Sequence, residues 1–174
     1  LQGHERFRGP LELNKNGLSD LAAMHLAPLF DKTSCHNITK LKLDGNNFTT
    51  KAGEYIGTAL AGNPDYRIDK ISFKGISLES IGVVRMVEAV NANKHVKKLD
   101  IGVLTNRGLS HLAELIRSNE TLDELIISET SDHQKYWTDE SRQALCATIR
   151  ECTVLKRVKV KFAREGQEAD EAFE

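Results

Sequence analysis

Cysteine is scarce in this sequence, and its spacing excludes the common cysteine-based sites. The 174 residues include three cysteines, an odd number, and no two are spaced as C-x-x-C. Neither a disulfide framework nor a cysteine zinc site is indicated. The six histidines are scattered without metal-ligand spacing. We therefore expect no metal and no cofactor, and we interpret Cys35, Cys146 and Cys152 as structural.

Long apolar runs and aromatic residues are also lacking. No run approaches the roughly 18–20 apolar residues that a membrane span needs. Aromatic residues make up 6% of the chain, whereas 40% is hydrophobic and 28% charged, which favours one soluble domain with an aliphatic core. The chain starts at Leu1 and not at Met, so we expect it to be part of a longer protein.

Motifs that carry out chemistry are missing as well. There is no phosphate-binding glycine loop, no G-x-S-x-G and no H-E-x-x-H. We therefore expect no enzyme activity. Aromatic side chains are not interleaved with the basic ones, which argues against a nucleic-acid partner.

The net charge of −1 hides a division along the chain. Residues 165–174 contain five acids and no base, so the first 164 residues hold 24 bases against 25 − 5 = 20 acids. We expect residues 1–164 to form the folded domain and residues 165–174 to be an acidic, solvated tail.

A repeated strand-turn-helix unit organises the rest of the sequence. In its clearest copy, Leu41 and Leu43 alternate as a strand with one buried face, and Asn46 follows at the turn. The next apolar residues have the spacing of one helix face: Ala52, Ile56, Ala59 and Leu60. Neither half can bury its apolar side alone, so each unit must stack on the next.

The unit recurs four times after an initial copy that begins at Leu11–Leu18, and a final strand without a helix follows. The strands start at Ile38, Ile68, Val96, Leu122 and Leu155, in steps of 30, 28, 26 and 33 residues. The mean step of about 29 leaves room for a full helix in each unit. The apolar spacing predicts Leu21 and Met24 on the buried side of the first helix, and Ile81, Val84, Val87 and Val90 on that of the third.

Asparagine or cysteine precedes each strand start by three residues, at Cys35, Asn93, Asn119 and Cys152, with Asn63 displaced by an insertion. With the strand pattern and the period, this resembles the ribonuclease-inhibitor class of leucine-rich repeats over residues 8–162. The resemblance implies an α/β leucine-rich-repeat solenoid, a right-handed superhelix with a curved parallel sheet inside and helices on the convex side. The short array, ending in a bare strand, is also similar in shape to the tropomodulin and leiomodin repeat domain.

Basic residues recur at one position of the predicted inner sheet face. Lys40, Lys70, Lys98 and Arg157 hold the same place in four units, and Glu124 interrupts them. Strands lie about 4.8 Å apart, so these charges repel one another. The column is either a groove for an acidic protein surface or an ordinary solvated sheet face. The candidate partner-binding residues are Lys40, Lys42, Lys70, Lys74, Lys98, Asp100, Tyr136, Trp137, Arg157 and Lys159.

Two further segments leave alternatives open. The bases from Lys156 to Arg164 either protect an edge strand from aggregation or contact an acidic segment, including the chain's own tail. The insertion of residues 131–138 holds Tyr136 and Trp137, which either form a binding hot spot or fold back over the end of the sheet.

Protein recognition without chemistry is the function that these features favour. The first hypothesis is a cytoplasmic scaffold or adaptor module. The second is an actin-filament regulator associated with the cytoskeleton. The third, a GTPase activator, would need an exposed Arg107 or Asn106. The sequons at Asn37, Asn47 and Asn119 are incidental in a cytoplasmic protein.

Overall fold

A computed structural model describes residues 7–34, 36–129, 137–161 and 171–173. Strands and helices alternate along the described chain. None of the helices in these ranges is long and apolar enough to cross a membrane. The elements are β1 (Arg8–Glu12), α1 (Asp20–Leu26), β2 (Asn37–Lys42), α2 (Thr50–Ala61), β3 (Lys70–Ser72), α3 (Glu79–Ala92), β4 (Lys98–Leu104), α4 (Asn106–Ser118), β5 (Glu124–Glu129), α5 (Asp139–Glu151), β6 (Arg157–Lys161) and β7 (Glu171–Phe173).

The strands form one open sheet in chain order, from β1 to β7. Strands β1 to β6 are parallel, and β7 joins β6 antiparallel. The α/β class and the parallel sheet are therefore confirmed. Residues 171–173, which the sequence assigned to the acidic tail, pair with β6. The other residues of 165–174 lie outside the described ranges.

One apolar residue from each parallel strand forms a row through the centre of the molecule. Strand pairing places these residues directly opposite one another, and beyond Leu11, which is partly buried, all are buried. Stacking a row of aliphatic side chains removes apolar area from water at each step, which is the main stabilising contribution. The row consists of Leu11, Leu41, Ile71, Leu99, Leu125 and Val158.

Asparagine side chains join successive units. The amide of Asn46 donates to the carbonyls of Leu13 and Leu43, and its oxygen accepts the N–H groups of Asn16 and Leu18. The side chain thus satisfies backbone groups of two neighbouring turns, as the sequence predicted for this position.

The asparagines at helix ends act in the same way. Asn119 follows α4, and its amide donates to the carbonyl of Val90 at 3.1 Å. Its oxygen accepts the N–H of Leu122 at 2.7 Å, where the chain turns toward β5. Asn93 likewise donates to the carbonyl of Tyr66. Each asparagine therefore closes one helix and binds the preceding unit.

Helices α2 and α3 approach each other more closely than side chains would allow. A Cβ atom on Gly53 would lie 2.7 Å from the Cα of Gly82, and one on Gly57 would lie 2.7 Å from the carbonyl oxygen of Arg85. Real Cβ atoms do not approach backbone so closely, so glycine at these positions fixes the spacing of the two helices.

The predicted buried sides of two helices are partly wrong. Leu21 is 61% exposed, Met24 is also exposed, and Ala23 is buried in α1 instead. In α3, Ile81 is 59% exposed, whereas Val83 is buried. Apolar residues surround most of α3, so their spacing alone does not select one side.

Candidate functional site

Four basic residues of the inner sheet face lie in the register that the sequence predicted. Lys40 is opposite Lys70, and Lys70 is opposite Lys98. Lys98 is opposite Glu124, which is opposite Arg157. We call these five residues the inner column.

Glu124 neutralises one end of the inner column. Its carboxylate lies 3.3 Å from the ammonium of Lys98 and 3.8 Å from the guanidinium of Arg157. Among the described residues, neither Lys40 nor Lys70 has a carboxylate within ion-pair distance. The positive charge that remains uncompensated is therefore on β2 and β3.

A second row runs beside the inner column, two residues further along each strand. It contains Glu12, Lys42, Ser72, Asp100, Ile126 and Lys159. Lys42 lies 2.7 Å from the carboxylate of Glu12. The hydrogen bond and the charge of Lys42 lower the pKa of Glu12, and the charges of Lys40 and Lys70 lower it further.

Most of the second row, together with Lys70 of the inner column, lines a groove of about 350 Å³ on the inner face of the sheet. Five lysines and two aspartates line it, together with one serine, one asparagine and one isoleucine. Its formal charge of 5 − 2 = +3 favours an anionic ligand. The lining residues are Asn14, Lys42, Asp44, Lys70, Ser72, Lys74, Asp100, Ile126, Lys159 and Lys161. We call this the basic groove.

Asp44 anchors the floor of the basic groove to the turns on either side. Its carboxylate accepts the hydroxyl of Ser72 at 2.5 Å and the backbone N–H of Lys74 at 3.0 Å. Its own N–H donates to the side-chain oxygen of Asn14. The acidic side chain is therefore occupied within the fold, and the lysines remain as the accessible charges.

Asp100 is a buried carboxylate in the same floor, 6% exposed. Its pKa is raised from 3.8 to about 6; burial is the largest cause and the charge of Asp44 adds to it, while the N–H of Gly102 and the charges of Lys161 and Lys74 act in the opposite direction. The N–H of Gly102 donates to it at 3.0 Å. Asp100, one of the candidate partner-binding residues, therefore lies in the floor of the basic groove and is mostly buried.

The position of Trp137 favours the second of the two alternatives for the segment of residues 131–138, in which it folds back over the end of the sheet. Its side chain is 2% exposed, and its indole N–H donates to the carbonyl of Leu104 at 2.9 Å. The ring therefore belongs to the core beside β4, as the alternative of covering the end of the sheet required. Tyr136 lies outside the described residues.

The remaining candidates from the sequence have ordinary surroundings. Cys146 and Cys152 are free thiols, and the thiol of Cys152 lies 3.5 Å from the carbonyl of Ile116; Cys35 lies outside the described residues. Arg107 is exposed at the start of α4, whereas the side chain of Asn106 accepts the N–H of Thr138. Within the described ranges, no group of three His, Cys, Asp or Glu side chains is placed to hold a metal.

Sequence reasoning did not assign a role in binding to Asn14, Asp44 or Ser72. They meet only because the turn after β1, the turn after β2 and the end of β3 lie side by side in the sheet. The available signal was their position in the repeat: Ser72 is at the end of β3, and Asn14 and Asp44 are in the turns that follow β1 and β2. The spacing alone did not show that these side chains contact each other.

Comparison with known proteins found similarity to solved structures but not to family models or curated sequences. No protein-family model matches the chain, and no curated protein matches it in sequence. The fold is similar to a solved structure described as leiomodin-1 actin-binding site 2, with a TM-score of 0.63. The match covers 83% of this chain and 80% of that one at 16% identity. At this identity, the likeness shows a shared fold alone.

Proposed function

We propose that this chain is a non-catalytic protein-interaction module, a leucine-rich-repeat solenoid that acts as a scaffold or adaptor. The observation that carries the proposal is the basic groove, which includes the uncompensated Lys70 and has the uncompensated Lys40 opposite Lys70 on the neighbouring strand. Lysines held on a sheet cannot move apart, so an acidic protein surface gains by relieving their repulsion as well as by pairing with them. The proposed setting is the cytoplasm.

A single exposed ion pair contributes at most about 1 kcal/mol, so one substitution should have little effect. The test is therefore a triple variant, Lys70→Glu, Lys74→Glu and Lys159→Glu, used as bait for proteins of the source cell. The matched control reverses three exposed bases outside the strands: Lys32, Arg67 and Lys94. We expect a partner that wild type and control retain and the groove variant loses, mainly through slower association.

Circular dichroism and thermal unfolding must show that both triple variants are folded. A partner that the folded groove variant retains as well as wild type at low salt would contradict the use of the basic groove. Retention that falls equally in both variants would mean that total charge matters and not this surface.

A second candidate, an actin-filament regulator associated with the cytoskeleton, is favoured by the fold match to an actin-binding site. Co-sedimentation with filaments and binding to actin monomers test it directly. Saturable binding by wild type would support this candidate. Absence of binding to both forms of actin would leave the general interaction module as the proposal.

A further inference from the structure

The edge of β6 that faces away from β5, which we call the outer edge, has a different kind of neighbour from the other strand edges in the described sheet. Each strand from β1 to β5 pairs with its successor in parallel, but β6 pairs with β7 antiparallel. Among the described residues, β7 pairs with Val158, Lys159 and Val160 of β6.

Two of the three residues of β7 are of types that strands disfavour. The strand consists of Glu171, Ala172 and Phe173; glutamate and alanine are depleted in strands, whereas phenylalanine is enriched. By contrast, β6 alternates valine with basic residues, and both of its valines are 3% exposed. The edge of β6 is thus part of a regular, half-buried strand.

Charge complements the backbone pairing. Residues 156–161 contain four bases and no acid, and residues 165–174 contain five acids and no base. Lys156 and Arg157 pair with Asp123 and Glu124 of the preceding unit. Lys159 and Lys161 instead line the basic groove, and Lys159 lies opposite Ala172. An extended acidic segment on this edge would therefore lie along one wall of the groove.

We propose that the outer edge of β6 is a docking edge for an extended acidic segment of a partner protein, and that β7 occupies it until the partner displaces it. Backbone hydrogen bonds between the partner segment and β6 form the strand pairing. Acidic side chains of that segment, opposite Lys159 and beside Lys161, make an acidic sequence the preferred ligand. The proposal rests on the proposed function and names the chemistry of its ligand. It also makes the acidic end of this chain a competitor of that ligand.

The test uses the full chain and a labelled peptide with the sequence of residues 165–174 as the probe. Ala172→Pro removes a backbone N–H from the middle of β7 without changing any charge, and Ala172→Val is the matched control that favours a strand. We expect the Pro variant to bind the peptide at least tenfold more tightly than wild type, because its edge is free. The Val variant should bind no more tightly than wild type.

Hydrogen exchange of the β6 amides gives an independent measurement. We expect faster exchange in residues 158–160 of the Pro variant, with α4 and β5 as protected as in wild type. If the Pro variant is not folded, Ala172→Lys replaces it, since a like charge opposite Lys159 also weakens the pairing. Peptide binding and β6 exchange that are the same as in wild type would overturn the proposal.

A second peptide separates this proposal from the proposed function. It carries proline at the position of Ala172, so it keeps every charge but lacks the central N–H. We expect at least tenfold weaker binding of this peptide to the Ala172→Pro chain. Equal binding of the two peptides would overturn strand docking and leave the basic groove as a purely electrostatic surface. Failure of both peptides to bind would also overturn the docking edge.

Discussion

Lys40 lies directly opposite Lys70 in the pairing of β2 with β3, and among the described residues neither has an ion-pair partner. Like charges placed opposite each other on neighbouring strands destabilise a sheet. This pair therefore lowers the stability of the isolated domain. The cost is consistent with a surface that a ligand of opposite charge covers.

Removing one of these charges should stabilise the protein. We expect Lys70→Gln to raise the free energy of unfolding by about 0.2–1 kcal/mol. The gain should shrink as salt is added, because salt screens exposed charges. The matched control is Lys98→Gln, which removes a lysine that pairs with Glu124 and should not stabilise the domain. Urea denaturation at low and high salt measures both, and equal gains from the two variants would contradict the charge assignment.

The close contact of α2 with α3 gives a second prediction. Gly57→Ala would place a methyl group 2.7 Å from the backbone of Arg85, so the helices must separate. We expect a loss of about 1–3 kcal/mol, as for other overpacked sites, despite the better helix propensity of alanine. Gly62→Ala is the control, since its added carbon would lie 3.4 Å from the nearest atom. A Gly57→Ala protein as stable as wild type would show that the helices lie further apart.

Asp100 gives a prediction about pH. The folded protein holds the proton of Asp100 up to about pH 6, whereas an unfolded chain holds it only to about pH 4. Between these values the folded state binds more protons, so stability falls as pH rises. The difference between the folded and unfolded pKa values of Asp100 corresponds to a loss of about 3 kcal/mol in the free energy of unfolding as the pH rises through this range.

The neutral variant Asp100→Asn keeps an oxygen that can accept the N–H of Gly102. We expect it to be more stable than wild type at pH 7.5 and to lose this advantage near pH 4. Thermal unfolding of both proteins across this range measures the difference. A constant difference at all pH values would mean that the carboxyl group is not buried in the folded state.

Trp137 offers a direct optical measurement, because it is the only tryptophan. Its burial and its hydrogen bond to Leu104 predict emission at short wavelength and slow quenching by acrylamide in the native protein. Unfolding in urea should shift the emission to longer wavelength. Trp137→Phe should cost about 1–3 kcal/mol or more, because the carbonyl of Leu104 loses its partner in the core. Native emission like that of free indole would contradict the buried position.

The sequence predicted the strand rows well, and the reason is physical. A side-chain period of two, with one face buried, leaves Leu41, Ile71 and Leu99 only one register. Lys40, Lys70 and Lys98 must then align beside them. Each repeat is an independent copy of the same pattern, so the alignment of the inner column follows from the sequence alone.

The buried side of α3, the position of Trp137 and the pairing of residues 171–173 depend on contacts between segments that are distant in the sequence, so the sequence alone did not predict them. The buried side of α3 follows from its fit against Gly53 and Gly57 of α2, which apolar spacing does not encode. Trp137 is buried where its N–H reaches the carbonyl of Leu104, a residue of a preceding unit that is distant in the sequence. Residues 171–173 have no alternating apolar pattern, and they pair with β6.

Lysine footprinting tests the central claim, that the basic groove binds an acidic protein surface, most directly. The wild-type domain is acetylated briefly, alone and with the partner recovered by affinity capture, and each lysine is quantified by mass spectrometry. We expect protection of the groove lysines Lys42, Lys70, Lys74, Lys159 and Lys161, with Lys32, Lys51 and Lys94 unchanged. Protection confined to those last three lysines, with the groove lysines as reactive as in the free domain, would contradict it.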